Sequence, residues 1–166
     1  MITHPIPPFY NKDSKILILG SFPSVKSREV MFFYGHPQNR FWRVLAAVFG
    51  DDAPQTIEEK KALLKRRHIA LWDVIESCDI TGSSDASITN VTANDLSVIL
   101  DGAQIEAIYV NGKTAEKMYK KHTLARTGRE AVCLPSTSPA NAAWNMERLT
   151  EAWSVIKTHV SDKWGS

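Results

Sequence analysis

Two cysteines, Cys78 and Cys133, are all that the 166 residues contain. That number excludes a disulfide framework and falls short of the four thiolates an iron–sulfur cluster normally takes. Both read as free thiols of a reducing compartment. No run of eighteen apolar residues occurs, so no segment reads as a membrane span. The first ten residues carry Pro5, Pro7 and Pro8 and lack the basic flank and apolar stretch of a signal peptide, so a cytoplasmic location is expected. The phosphate loop G-x-x-x-x-G-K-[ST], the dinucleotide turn G-x-G-x-x-G and the nucleophile elbow G-x-S-x-G are all missing. So are H-E-x-x-H and other familiar metal spacings, and the five histidines are scattered. No metal and no cofactor are expected.

What is present fits one domain spanning residues 1–166, with an apolar fraction of 43% and a charged fraction of 23%. The formal net charge of +2 permits a polyanionic partner without demanding one. Its basic residues gather in two places. Lys60, Lys61, Lys65, Arg66, Arg67 and His68 read as a solvated helix face. Lys113, Lys117, Lys120, Lys121, His122, Arg126 and Arg129 follow a strand end, and are as well suited to phosphate contact as to solvation.

Short apolar runs and helical periodicities alternate along the chain. Lys15 to Gly20 suits a strand buried on both faces. A loop from Ser21 to Gln38 precedes a helix from Asn39 to Phe49, with Gly50 just past its end. Thr56 and Glu59 form a capping-box pattern ahead of a second helix. Ile69 to Ile75 reads as a second strand running into a polar loop, Ser77 to Asn90, and Ala93 to Leu100 as a helix. Ala107 to Gly112 is a third strand, Thr114 to His122 its helix, and Ala131 to Leu134 a fourth strand. A long helix from about Ala140 to Val160 closes the chain. This alternation predicts an α/β sandwich with a parallel sheet.

Ligands of such sheets bind beyond the carboxyl ends of the strands, which selects the loops to read. Gly20-Ser21-Phe22-Pro23-Ser24, with Phe32 to Trp42 after it, is unusually aromatic and polar for a connection. Phe32, Phe33, Phe41 and Trp42 fit a core, whereas Tyr34, in a segment bounded by Gly and Pro, could stack on a flat ring. In Leu134-Pro135-Ser136-Thr137-Ser138-Pro139, Ser138 reads as an N-cap and Pro139 as the first helical residue. Hydroxyls and free N–H groups at a helix start also suit a phosphate.

Taken together these segments resemble the uracil-DNA glycosylase superfamily. The Gly-x-x-Pro turn and His36-Pro37-Gln38-Asn39-Arg40-Phe41-Trp42 are similar to the first active-site region of mismatch-specific uracil/thymine glycosylases. Leu134 to Pro139 is similar to the superfamily's second motif, and Gly112-Lys113-x-Ala115 fits as well. Phe22 stands where relatives carry a water-positioning Asn or Asp, and a phenyl ring cannot orient water. The Gly-Ser-Phe-Pro-Ser turn, Trp72 to Ile75, Cys78 and Gly82-Ser83-x-Asp85 resemble the hypoxanthine-DNA glycosylase branch, in which the active-site Asn corresponds to Asn39.

The resemblance implies a three-layer α/β/α sandwich around a four-stranded, mainly parallel sheet. It implies a monomeric, monofunctional DNA glycosylase that hydrolyses the N-glycosidic bond of a flipped deaminated base. Asn39 would be catalytic, positioning a water or bonding the leaving base. Phe22, Tyr34 and Asp73 would contact the base, although Asp73 also suits a strand-end loop cap. Ser24, Lys113, Ser136 and Ser138 would bind DNA phosphates. Ala140 stands near where relatives insert a larger apolar wedge. Three alternatives stay open: uracil or xanthine as the base removed, a non-catalytic nucleic-acid-binding module, and a small-molecule hydrolase using Ser21 or Ser136 with a histidine.

Overall fold

The computed structural model describes residues 1–160; residues 161–166, the end of the single domain expected from the sequence, lie outside the described residues. In chain order the strands are β1 (Ile2–Thr3), β2 (Ile16–Gly20), β3 (Ile69–Asp73), β4 (Ile75–Asp79), β5 (Thr89–Ala93), β6 (Ala107–Asn111) and β7 (Val132–Leu134). The helices are α1 (Val25–Val30), α2 (Phe41–Phe49), α3 (Ile57–Arg66), α4 (Ser97–Gly102), α5 (Lys113–His122), α6 (Leu124–Thr127), α7 (Met146–Trp153) and α8 (Lys157–Val160).

The main sheet has the order β3-β2-β6-β7, and every pairing in it is parallel. Central β2 is buried along its whole length, as its unbroken apolar run requires. Its alternate residues serve two cores. Ile16 and Ile18 pack with Leu45, Leu64, Leu149 and Trp153 from α2, α3 and α7. Leu17 and Leu19 pack with Ile99, Ala115 and Tyr119 from α4 and α5. Each such side chain removed from water contributes about 1.5–3 kcal/mol. The three-layer sandwich follows from this two-sided burial.

The apolar run at 69–75 divides in two. The chain leaves the main sheet at Val74, whose N–H donates to Gly20 O at 2.9 Å, and continues as β4 in a second, antiparallel sheet, β1-β4-β5. Buried Asn94 staples the bend, its Nδ2 donating to Asp73 O (2.9 Å) and Ile75 O (3.2 Å). Asn94 is thus a brace and not a helix start; α4 begins at Ser97.

Three other expectations are corrected. The 21–38 segment holds a short helix, α1, capped by Ser24, whose hydroxyl accepts from Ser27 N–H. The long closing helix from Ala140 is broken up: residues 139–144 form turns, and Asn145 caps α7 by accepting from Arg148 N–H. Ser138 and Pro139 therefore open a turn and not a helix. Their helix-start chemistry is real but local, since Ser138 Oγ accepts from Ala140 N–H at 3.1 Å. The capping box of α3 forms as its sequence predicts, with Thr56 Oγ1 accepting from Glu59 N–H and Glu59 accepting from Thr56 N–H.

Candidate active site

A cavity of about 310 Å³ opens beyond the carboxyl ends of the main sheet, where β2, β3 and β6 deliver Gly20, Asp73 and Asn111. Of the residues expected to act, Phe22, Ser24, Tyr34, Asn39, Asp73, Ser136 and Ser138 all line it. Lys113 does not. It is exposed on the first turn of α5, set back from the cavity wall. The other lysines of its cluster climb α5 away from that end, Lys121 about 12 Å further at 1.5 Å per residue.

Asn39 is fixed by its neighbours. Its Oδ1 accepts from Phe41 N–H at 2.9 Å and from the Thr137 hydroxyl at 2.8 Å. Thr137 is fully buried. Its Oγ1 accepts from Asn111 Nδ2 at 3.0 Å, while its N–H donates to Asn111 Oδ1 at 3.1 Å. Backbone N–H groups can only donate, so they set the orientation of both amides. Asn39 is left with its Nδ2 as the end without a protein acceptor among the described residues, and that end is a hydrogen-bond donor.

Arg40 holds the two motif segments together. Its backbone N–H donates to Thr137 O at 3.1 Å. Its guanidinium reaches four carbonyls of the irregular 137–144 segment: Thr137 (3.4 Å), Ser138 (2.8 Å), Asn141 (3.2 Å) and Trp144. Five donors in a planar fork make this possible. Trp153 Nε1 donates to Pro135 O at 2.9 Å and secures the start of the segment.

The aromatic wall divides into core and lining. Phe32, Phe33, Phe41 and Trp42 are buried, as a core reading of the sequence requires. Tyr34 stacks on Phe41 with ring centroids 4.0 Å apart and planes at 17°, so only its opposite face remains for a base. Its φ of 52° lies in the left-handed region, a strained conformation for a bulky residue. Burial, and then the negative charge of Asp73, push the Tyr34 hydroxyl well above the ordinary phenol range, and nearby Asn111 opposes this only in part. The group stays neutral, and its oxygen is buried without a hydrogen-bond partner among the described residues.

Two carboxylates share the cavity. Asp73 does not cap its own loop; its Oδ2 takes a 2.7 Å hydrogen bond from His4 Nε2, and both side chains are nearly inaccessible, at 6% and 2% exposure. Asp85 comes from the loop between β4 and β5 and accepts from Ser21 Oγ at 3.1 Å. Although the residue is exposed as a whole, desolvation of its carboxyl raises its pKa; the Ser21 bond lowers it and the charge of Asp73 raises it again. A serine–histidine nucleophile does not assemble. Ser21 faces Asp85, Ser136 Oγ accepts from Ser138 N–H, the buried His4 is committed to Asp73, and His36, also on the cavity wall, accepts at Nδ1 from Gln38 N–H and bonds no serine among the described residues. The small-molecule hydrolase alternative falls with it. Among the described residues no cluster of three or more His, Cys, Asp or Glu could hold a metal ion.

His4, Asn111, Thr137 and the role of Asp85 were not foreseen from the sequence. Asn111 ends a strand at its carboxyl end, a signal that could have found it. His4 lies 69 residues from its partner and carried none.

The chain is similar to known proteins over most of its length. The family described as the uracil DNA glycosylase superfamily matches residues 7–157. A hypoxanthine DNA glycosylase of Methanosarcina acetivorans is 34% identical over 161 residues, covering 96% of this chain and 100% of that protein. One from Methanosarcina barkeri is 36% identical over 138 residues, covering 81% of this chain and 85% of the relative. A solution NMR structure from Methanosarcina acetivorans, described as a candidate uracil DNA glycosylase, superposes with a TM-score of 0.80 at 33% identity, over 95% of this chain and 98% of the other.

Proposed function

The chain belongs to the uracil DNA glycosylase superfamily, and from that premise we propose that it is a monofunctional base-excision repair enzyme releasing hypoxanthine from DNA. Two relatives that cover most of the chain are named hypoxanthine DNA glycosylase. The observation that carries the mechanism is the orientation of Asn39, whose Oδ1 is consumed and whose Nδ2 has no protein acceptor among the described residues.

A flipped deoxyinosine enters the cavity at a cost of a few kcal/mol of unstacking. Phe22 forms one wall and the free face of Tyr34 another; stacking of this kind contributes about 1–3 kcal/mol per base. As the C1′–N9 bond breaks, its electron pair leaves with the purine and the sugar becomes a cation. Asn39 Nδ2 donates to the purine as negative charge develops on it, which favours the transition state over the ground state. Water attacks C1′, and its proton passes to solvent or to the released base. An amide is no base, and an electron-poor sugar carbon needs no strongly activated water. Asp85, with its carboxylate in the same cavity, offsets the positive charge of the sugar. Ser24, Ser136 and Ser138 hold the flanking phosphates without reading sequence, and Lys113 contributes charge from further out. We infer a monomer acting in the cytoplasm on DNA; no helix of the described residues is long and apolar enough to cross a membrane.

The test is cleavage of end-labelled duplexes carrying one hypoxanthine, uracil or xanthine, in EDTA and followed by alkali. Alkali-dependent breaks at hypoxanthine are expected, reduced about 10²–10³-fold in Asn39→Ala, the typical loss for one transition-state donor. Breaks at uracil alone would keep the reaction and overturn the base. No breaks on any substrate would leave a binding module.

A further inference from the structure

We propose that His36 binds the substrate at this site, its Nε2–H donating to a phosphodiester of the flipped nucleotide. The inference rests on the glycosylase reading above and adds to it a contact with the DNA backbone. The need for such a contact comes from the charge of the cavity. Its wall carries the carboxylates of Asp73 and Asp85 but, among the described residues, no lysine and no arginine. A DNA strand brought to that wall meets charge of its own sign, and like charges set face to face oppose association.

The nearby cations do not relieve this. Arg28 donates to Pro23 O (3.3 Å) and Gly82 O (2.9 Å) and lies over the Phe22 ring, 5.6 Å from its centroid. Arg40 is engaged by the carbonyls of the 137–144 segment, and Lys113 is set back from the wall. His36 is the lining residue whose side chain can take positive charge, and it is exposed.

The hydrogen bonds of the imidazole decide what it can do. Nδ1 accepts from Gln38 N–H at 3.1 Å, so in the neutral ring the proton sits on Nε2. Neither nitrogen then offers a lone pair to a water, and His36 is not the base of the reaction. Nε2 carries its proton in the charged ring as well, so this atom is a donor at every pH, and an anionic oxygen is its strongest acceptor. The ring also stands in a fixed relation to Asn39. Asn39 N–H donates to His36 O at 2.9 Å and closes a turn in which Pro37 restricts φ. One turn thus carries, at its last residue, the donor for the departing purine and, at its first, a donor for the backbone of the same nucleotide. The serines of the other segments add neutral donors; His36 adds the one that can also carry charge.

The experiment is a cycle between one side chain and one phosphate. Duplexes carry a 2′-fluoro deoxyinosine, whose fluorine disfavours the sugar cation and so prevents cleavage, and their affinity is read by fluorescence anisotropy. In matching duplexes the phosphodiester on the 5′ or the 3′ side of that nucleotide is replaced by an uncharged methylphosphonate. His36→Ala is expected to bind the unmodified duplex about tenfold or more weakly, as for a lost bond to a charged acceptor, and His36→Gln, which restores an N–H donor, to recover part of the loss. At one of the two positions the methylphosphonate should cost the wild type about tenfold more affinity than it costs His36→Ala. The single-turnover rate on hypoxanthine at saturating enzyme should stay within threefold in His36→Ala, because the contact serves binding. Melting temperatures check that each variant is folded. A wild type that excises no base overturns the glycosylase reading itself. A wild type active on hypoxanthine, with both methylphosphonates costing it and His36→Ala the same within twofold, overturns this inference alone.

Discussion

Thr137 shows how much of the site depends on one hydroxyl. It lies within a motif whose serines suggest phosphate binding, yet it faces inward and joins Asn39 to Asn111. Thr137→Val keeps the shape and removes the bridge, leaving Asn111 Nδ2 without its acceptor in a buried place. The expected cost is about 1–3 kcal/mol of stability. Excision of hypoxanthine should also slow about tenfold or more with little change in KM, because a looser Asn39 loses its aim and not its affinity. Thr137→Ser should recover most of the rate. Single-turnover kinetics of the three proteins check this, and a wild-type rate in Thr137→Val would remove Thr137 from the machinery.

Among the elements, the irregular segment 135–144 most needs explaining, since no ladder or helix holds it. Arg40 does so by donating to carbonyls of Thr137, Ser138, Asn141 and Trp144. A lysine has one charged nitrogen and cannot span them. Arg40→Lys is expected to destabilise the protein by about 2–4 kcal/mol, since hydrogen bonds from charged donors are worth about 1.5–3 kcal/mol each and a lysine retains some of them. Amide hydrogen exchange should speed up from Thr137 to Asn145 while β2 and β6 stay protected. Unchanged exchange in that segment would show that Trp153 and the turns hold it without Arg40. The sequence placed Arg40 in a motif but could not reveal that its partners lie about a hundred residues away. Helix α3 is the opposite case. Its capping box is local and was legible, and its basic face lies over aromatic rings, with Lys60 above Trp42 and Lys61 above Phe32.

For the whole molecule, the cavity is where stability is given up for chemistry. Desolvation raises the pKa of Asp85, so its carboxylate is harder to form in the folded than in the unfolded chain. Above its folded pKa this penalises the native state. Asp85→Asn, which can still accept from Ser21, should therefore raise Tm at pH 7. The gain should shrink as pH falls, and vanish below the ordinary carboxylate range, where Asp85 is protonated in both states. Thermal unfolding from pH 4 to 7 checks the sign; a variant less stable than the wild type at pH 7 would show that the carboxylate is held by its neighbours. Pairing acts the other way at Asp51. Its hydrogen bonds to Arg67 (2.9 Å and 2.8 Å) hold its carboxyl below the usual range, so its contribution is present at neutral pH and lost in acid.

By itself the sequence determined what depends on short-range pattern: the four parallel strands, the helices between them, the caps of α3, and the two motif loops gathered at one end. Apolar runs, helical periodicity and turn residues are local, and the carboxyl-end rule then brought most of the named residues to one cavity. The tertiary structure alone decided what depends on contacts far apart in the chain. It bent the 69–79 run into two sheets by way of Asn94, broke the closing helix where Arg40 claims its carbonyls, and buried His4 against Asp73. Which end of Asn39 faces the substrate was decided there too, since a side-chain amide takes its direction from the donors folding brings to it.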